Sequence, residues 1–223
     1  MPEAVMIFAA GFGTRMGALT ARRPKPLVPV AGRALIDHAL DIAADVPRRV
    51  VNLHYLHEQL VAHLAGRNVL TSLEWPQILE TGGGLRAALP LLGPGPVFTL
   101  NSDAVWTGAN PLDELRRQWR PDMGALLLLS RPEQARGHNK GGDFDLLPDG
   151  RLRRGGPYIY TGAQILRPEG LAAIPDRAFS LNLLWDRLLA KGRLFGAVHE
   201  GGWCDVGHPE GIAEAEAMLG INR

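Results

Sequence analysis

Thiols are almost missing from this chain: Cys204 is the one cysteine in 223 residues. A lone cysteine excludes an internal disulfide and suits a reducing compartment. Excess charge is missing as well. The 24 Lys and Arg stand against 23 Asp and Glu, a formal net charge of +1. No global field therefore draws the protein to nucleic acid or to an anionic membrane, and the basic residues form no stripe with aromatics. Any anion must be handled locally. Long apolar runs are also missing, none approaching the roughly 20 residues of a membrane span. The first ten residues are apolar but include Glu3 and have no basic lead, so they do not read as a signal peptide. A cytoplasmic protein is expected. No repeat, coiled coil or low-complexity tail is visible, and no pair of histidines or cysteines has metal-ligand spacing.

What is present is 27 glycines and 17 prolines set between short apolar segments. Residues 5–10 form an apolar run that stops at Gly11, the pattern of a buried strand entering a glycine turn. Strands are also predicted over 49–54, 68–73, 96–100, 125–130, 158–166 and 194–199, with a short one over 143–147. Helices are predicted over 34–44, where apolar residues recur at 35, 36, 39, 40 and 43, and over 58–64, 84–92, 112–119, 180–190 and 210–219. Alternating strands and helices predict an α/β sandwich around a mostly parallel sheet. Residues 131–157 are polar and rich in glycine and proline. They read as the start of a loop-rich second half of a single domain spanning 1–223, not as a linker.

The segment Ala9-Ala10-Gly11-Phe12-Gly13-Thr14-Arg15-Met16 follows the first strand directly. Glycines there let the backbone approach a ligand and aim its N–H groups at an anion. It is not the dinucleotide fingerprint, because Met16 stands at the third glycine place and no acid ends a second strand near position 31. The Walker pattern is absent too. Downstream, three prolines frame Lys25 in Arg22-Arg23-Pro24-Lys25-Pro26-Leu27-Val28-Pro29, which predicts an extended, stiff segment holding an ammonium close to the glycine loop.

Together, A-A-G-x-G-T-R-M and R-P-K-P-L-V-P-V-A-G resemble the signature of the sugar-1-phosphate nucleotidyltransferases. The resemblance continues in order through Glu80-Thr81-Gly82-Gly83-Gly84, Asn101-Ser102-Asp103, Gly142-Asp143-Phe144, Thr161-Gly162 and Trp203-Cys204-Asp205-Val206-Gly207. The short length, Glu-Thr-Gly-Gly-Gly and Gly-Asp-Phe resemble the N-acetylmuramate 1-phosphate uridylyltransferase branch. Two positions depart from the pattern: Ser102, where glycine or alanine is common, and His208, where threonine is common.

The resemblance implies a three-layer sandwich with a mostly parallel mixed sheet, Rossmann-like or GT-A-like. Its nucleotide-binding half would cover about 1–130 and its sugar-phosphate half about 131–223. It implies transfer of a nucleoside monophosphate from an NTP, UTP in that branch, to a sugar 1-phosphate, with Mg²⁺ as cofactor. The partners are those small molecules, with monomer and dimer both open. Asp103 and Asp205 would hold Mg²⁺, which takes few carboxylates and completes its shell with phosphate oxygens and water. Each also reads as an ordinary turn or helix cap. Arg15 and Lys25 would meet the phosphates. Ala9, Ala10, Gly11, Gly13, Thr14, Glu80, Gly82, Gly83 and Ser102 would bind the nucleotide, Glu80 being equally readable as a helix-entry acid. Asn139, Lys140, Asp143 and Gly162 would line the sugar pocket, although the loop carrying the first two also reads as a solvated surface.

Other acceptors, such as mannose 1-phosphate, glucose 1-phosphate or choline phosphate, stay open, because phosphate-handling motifs do not separate them. A nucleotide sensor without turnover would lack Asp103, Asp205 or Lys25, and all three are present. A nicotinamide-dependent oxidoreductase needs the missing third glycine and ribose-binding acid.

Overall fold

The computed structural model describes residues 1–221. Seven strands build its central sheet: β1 Ala4–Phe8, β2 Arg48–Leu53, β3 Leu70–Leu73, β4 Val97–Asn101, β5 Ala125–Ser130, β6 Ile159–Leu166 and β7 Leu194–Val198. The apolar runs are continuous because both sheet faces are covered. In β1, Val5 and Ile7 enter one core and Ala4 and Met6 the opposite one. The same period of two divides Leu126 and Leu128 from Leu127 and Leu129 in β5.

Helices α1 Leu35–Ile42, α2 His57–Leu64 and α4 Pro111–Gln118 cover the first face; Ile36, Ala39, Leu60 and Leu115 enter its core. Helices α3 Glu80–Leu92 and α5 Asn182–Ala190 cover the second with Leu85, Ala88, Leu184 and Leu188. The result is a three-layer α/β sandwich. None of the described helices is long and apolar enough to cross a membrane.

The strand order is β3-β2-β1-β4-β6-β5-β7. Only β6 runs against its neighbours, pairing antiparallel with both β4 and β5. The chain steps outward from β1 to β2 and β3, then returns to the other side of β1 as β4. That reversal leaves a crevice beyond the carboxyl ends of β1 and β4, where open α/β sheets hold ligands. Beside it, a satellite sheet places Trp203–Asp205 between Ala104–Trp106, antiparallel, and Ala135–Arg136, parallel. The last helix, α6 Glu210–Met218, packs on this satellite sheet.

Two local expectations change. Helix α3 starts at Glu80, not at residue 84, so the triple glycine lies inside its first turns. The reason is close packing: Gly82 and Gly83 both donate to the Phe179 carbonyl, at 2.8 and 3.1 Å, and a methyl group at Gly82 would collide with the Phe179 ring. The proline segment is extended at Pro24 and again from Val28 into a short strand at Pro29–Val30, but not between them. Lys25–Leu27 is one 3₁₀ turn with Pro26 in its first positions, where a missing N–H leaves no helical bond unmade.

Phe98 in β4 has no exposed surface, and Arg116 lies 5.4 Å over its ring. Phe98→Ala is expected to cost about 3–5 kcal/mol by loss of burial and creation of a cavity. Urea denaturation at unchanged m-value measures it.

Candidate active site

The crevice opens as a cavity of about 220 Å³ lined by the end of β1 (Phe8, Ala9, Ala10, Gly11), by Lys25 and by Asn101, Ser102 and Asp103 after β4. Its far wall holds Asn52, Glu74, Glu80 and Thr81. A neighbouring cavity of about 260 Å³ shares Phe8, Thr81 and Asn101 and is lined also by Asp143, Arg154, Tyr160 and Trp185. The two form one groove across the sheet edge.

Among the described residues Lys25 is the only cation lining the first cavity, and it is 8 % exposed. Its ammonium lies 2.6 Å from Asp103 Oδ2. Gly13 makes this approach possible: its φ of +64° is open to glycine, and a methyl group there would press on the Lys25 and Thr20 side chains. The satellite sheet brings Asp205 to the same place. Asp205 pairs with Ala104, and the Val206 N–H donates to the Asp103 carbonyl at 2.8 Å. Burial raises the Asp205 carboxyl above its ordinary value and the neighbouring Asp103 raises it further, while Lys25 and Arg15 oppose the rise. Arg15 and Asp205 both crowd the space beside Gly207, with Arg15 Nη1 2.8 Å and Asp205 Oδ2 2.9 Å from where a methyl group on that glycine would sit. Between Trp203 and Asp205, Cys204 is fully buried and its thiol is pushed up to about 12 by burial.

Ser102 fixes the turn by donating from its hydroxyl to the Phe8 carbonyl at 2.7 Å. Glu80 faces the cavity and takes a φ of +60°, a conformation that costs a non-glycine residue about 1–3 kcal/mol. Asp143 lines the second cavity, accepting from the Tyr160 N–H at 2.8 Å.

Other expected site residues lie elsewhere. Gly82 and Gly83 are buried behind the wall, against residues 177–179, so they offer no backbone to a base. Gly13 and Thr14 do not line the cavity. Gly162, at φ +87°, is buried beneath the Asn101 side chain. It supports a wall residue and does not line the pocket. Asn139 and Lys140 lie outside both cavities. Their loop is tied toward α6, because the Gly137 N–H donates to Glu214 and the Gly137 carbonyl meets His208 Nε2 at 3.0 Å. Asn139 turns to His208 at 3.3 Å.

Asn52 and Glu74 were not anticipated. Asn52 Oδ1 accepts from the Ala9 N–H at 2.7 Å, and its amide donates to Glu74 Oε1 at 2.7 Å. Glu74, 1 % exposed, also accepts from the Leu79 N–H at 2.6 Å. The network sets the height of the Ala9 backbone in the cavity. Its one sequence signal is polar residues closing two apolar strands, a weak one.

A family model described as the MobA-like NTP transferase domain matches residues 5–203. The chain belongs to this family. It is a nucleotidyltransferase of the sugar-1-phosphate type. It is 44 % identical to an N-acetylmuramate alpha-1-phosphate uridylyltransferase of Caulobacter vibrioides, covering 98 % of this chain and 97 % of the relative. Identity to the enzyme of that name in Neisseria meningitidis is 35 %, over 96 % and 97 % of the two chains. The fold matches HddC from Yersinia pseudotuberculosis, solved with GMP-PN, at TM-score 0.78 and 22 % identity over 98 % of this chain and all of that one. The nucleotidyltransferase thus has the GT-A-like fold.

Burial raises the carboxyl of Glu74, more than the bonds from Leu79 and Asn52 and the proximity of His54 lower it. With the folded value above the unfolded one, the native state holds the proton longer. Stability from this group is present below about pH 4.5 and falls as pH rises through the higher folded value. Glu74→Gln should therefore gain on the wild type in unfolding free energy between pH 4 and pH 7. Denaturant titrations at both pH values check the sign.

Proposed function

We propose that this nucleotidyltransferase transfers a uridylyl group from UTP to N-acetylmuramate 1-phosphate, releasing pyrophosphate, with Mg²⁺ as cofactor and in the cytoplasm. The substrate pair rests on the two relatives similar over nearly the whole chain. The observation that carries the chemistry is the Lys25–Asp103 ion pair beside Asp205 at the switch-point crevice.

A phosphate oxygen of the sugar 1-phosphate forms a bond to the α-phosphorus. The bond to the bridging oxygen breaks, and pyrophosphate leaves with the electron pair. The nucleophile is already an anion, so no general base is needed. The protein must hold two mutually repelling phosphates in line and answer the charge on the phosphoryl oxygens. Ala9, Ala10 and Gly11 present backbone to the nucleotide, Asn52 and Glu74 fix its height, and Asp143 lies on the sugar side. Lys25 and Arg15, which both act on the Asp205 carboxyl, bring positive charge to the phosphates.

Asp103 and Asp205 would hold the Mg²⁺. No group of three or more His, Cys, Asp or Glu suited to a metal occurs among the described residues. Two carboxylates that repel each other suit an ion that takes its remaining ligands from phosphate and water, not an all-protein cage. When bound, the ion supplies charge neutralisation and Lewis acidity at the phosphates. In the ligand-free protein Lys25 occupies one carboxylate, and an incoming cation and triphosphate would free its ammonium for the phosphates.

Pyrophosphate release, measured with Mg²⁺ across five NTPs and a panel of sugar 1-phosphates, is expected only with UTP and N-acetylmuramate 1-phosphate together. Turnover with another pair would reject the substrates and keep the chemistry. Asp103→Asn should remove most turnover with the fold intact. Lys25→Ala should lower kcat by about 10²- to 10³-fold, with the sugar KM little changed, and a change confined to that KM would reject the role.

A further inference from the structure

At the opposite end of the sheet from the crevice lies a cavity of about 500 Å³ that the proposed transfer does not use. Arg167, Arg187, Lys191 and Arg193 line it, with one acid, Glu169. None of the four cations has a carboxylate within ion-pair distance among the described residues; Asp122, nearby, is bonded to Arg120 and lowered chiefly by it, with Arg193 contributing least and from farther off. Two of the four are forced together. Arg167 Nε and Arg193 Nη2 share the Met123 carbonyl, at 3.1 and 3.5 Å, and the same two guanidiniums brace Pro121 and Asp122 through their remaining bonds. Their Nη1 groups donate to nothing among the described residues. Arg187 reaches only the Gly170 and Ala173 carbonyls, at 3.5 and 3.2 Å.

Backbone carbonyls satisfy donors but do not cancel charge. Converging cations without a counter-ion repel one another, and a bound anion would offset that repulsion. The floor is apolar: Leu184 and Leu188 are buried there. They come so close to Gly170 and Gly124 that a side chain at either glycine would collide with them. A concave, cation-rimmed hollow with an apolar floor suits a small phosphorylated molecule and is poorly shaped for an extended polyanion.

Helix α5 links this hollow to the sugar side of the groove. Asn182 and Trp185, in its first turns, line the cavity that holds Asp143; Leu184, Arg187 and Leu188 line the basic one. Strand β6 makes the same link, with Tyr160 at one end and Arg167 just past the other.

We infer that the basic cavity is a second ligand site, for a phosphorylated small molecule, and that its occupancy alters sugar-phosphate binding through α5. An anion held there biases the helix that carries Trp185, and by reciprocity the sugar phosphate biases the anion. The coupling half rests on the sugar-1-phosphate reading of the groove; the binding half does not.

Isothermal titration with fructose 1,6-bisphosphate as the probe tests binding. Wild type and Lys25→Ala, altered only at the catalytic groove, should bind it equally. Lys191→Glu with Arg193→Glu should weaken it at least tenfold. The Lys191 side chain makes no hydrogen bond or ion pair among the described residues, so Lys191→Glu alone should fold as wild type and weaken binding at least threefold. In turnover assays the probe should shift the sugar 1-phosphate KM at least twofold in wild type and not in the double variant. Absence of binding, loss of binding in Lys25→Ala, binding unaffected by charge reversal, or binding confined to long polyanions such as heparin would each overturn the site. Binding without a KM shift in an active enzyme would overturn the coupling. Binding by a protein that turns over no sugar phosphate would leave the site standing and reject the reading of the groove.

Discussion

Asp103 and Asp205 repel each other, and much of the groove is arranged around that repulsion. The two residues reach the same point by different routes. Asp103 follows the end of a central strand, whereas Asp205 arrives on a three-stranded satellite that exists to deliver it. Lys25 stands on Asp103, and Arg15 approaches Asp205 from the side of Gly207. Positive charge is thus supplied at the spot where two negative side chains are brought together. The positive φ of Gly13, the 3₁₀ turn at Lys25 and the hydroxyl of Ser102 all hold these few charges in register.

The same logic separates what the sequence announced from what it hid. The central sheet strands were legible as apolar runs because both faces are covered there, whereas the edge strand β3, with Leu70 and Leu73 exposed, shows only a short polar-apolar pattern. Lys25, Asp103 and Asp205 were legible as motif residues, and the glycine loop as a turn. The triple glycine misled. Glycine tolerates close approach without saying to what, and here the partner is the Phe179 segment, 97 or so positions away along the chain. Asn139 and Lys140 misled for a related reason: a polar loop carries no mark of which side it is tied to, and Glu214 and His208 tie it to α6. Asn52 and Glu74 were invisible because their importance lies in a three-way hydrogen-bond network, Ala9 to Asn52 to Glu74, among residues from three separate segments.

Burying Glu74 next to the crevice cavity runs against stability, and so does holding Glu80 at positive φ. Both residues stand on the same wall, flanking the start of α3. Local departures of this kind gather where a backbone has to be held in one place for a ligand. The opposite end of the sheet shows the complementary pattern, four cations gathered around a single acid, Glu169, and α5 touches both places.

Cys204 occupies the middle of the satellite strand, one residue from Asp205 and without exposed surface. A thiol held near pH 12 has no appreciable thiolate at neutral pH, and it is the thiolate that reacts with oxidants and alkylating agents. The strand that positions an acidic group of the groove is therefore chemically silent toward peroxide. The enzyme should keep its geometry when the redox balance of its surroundings changes, with neither a reductant to maintain it nor a thiol switch to silence it.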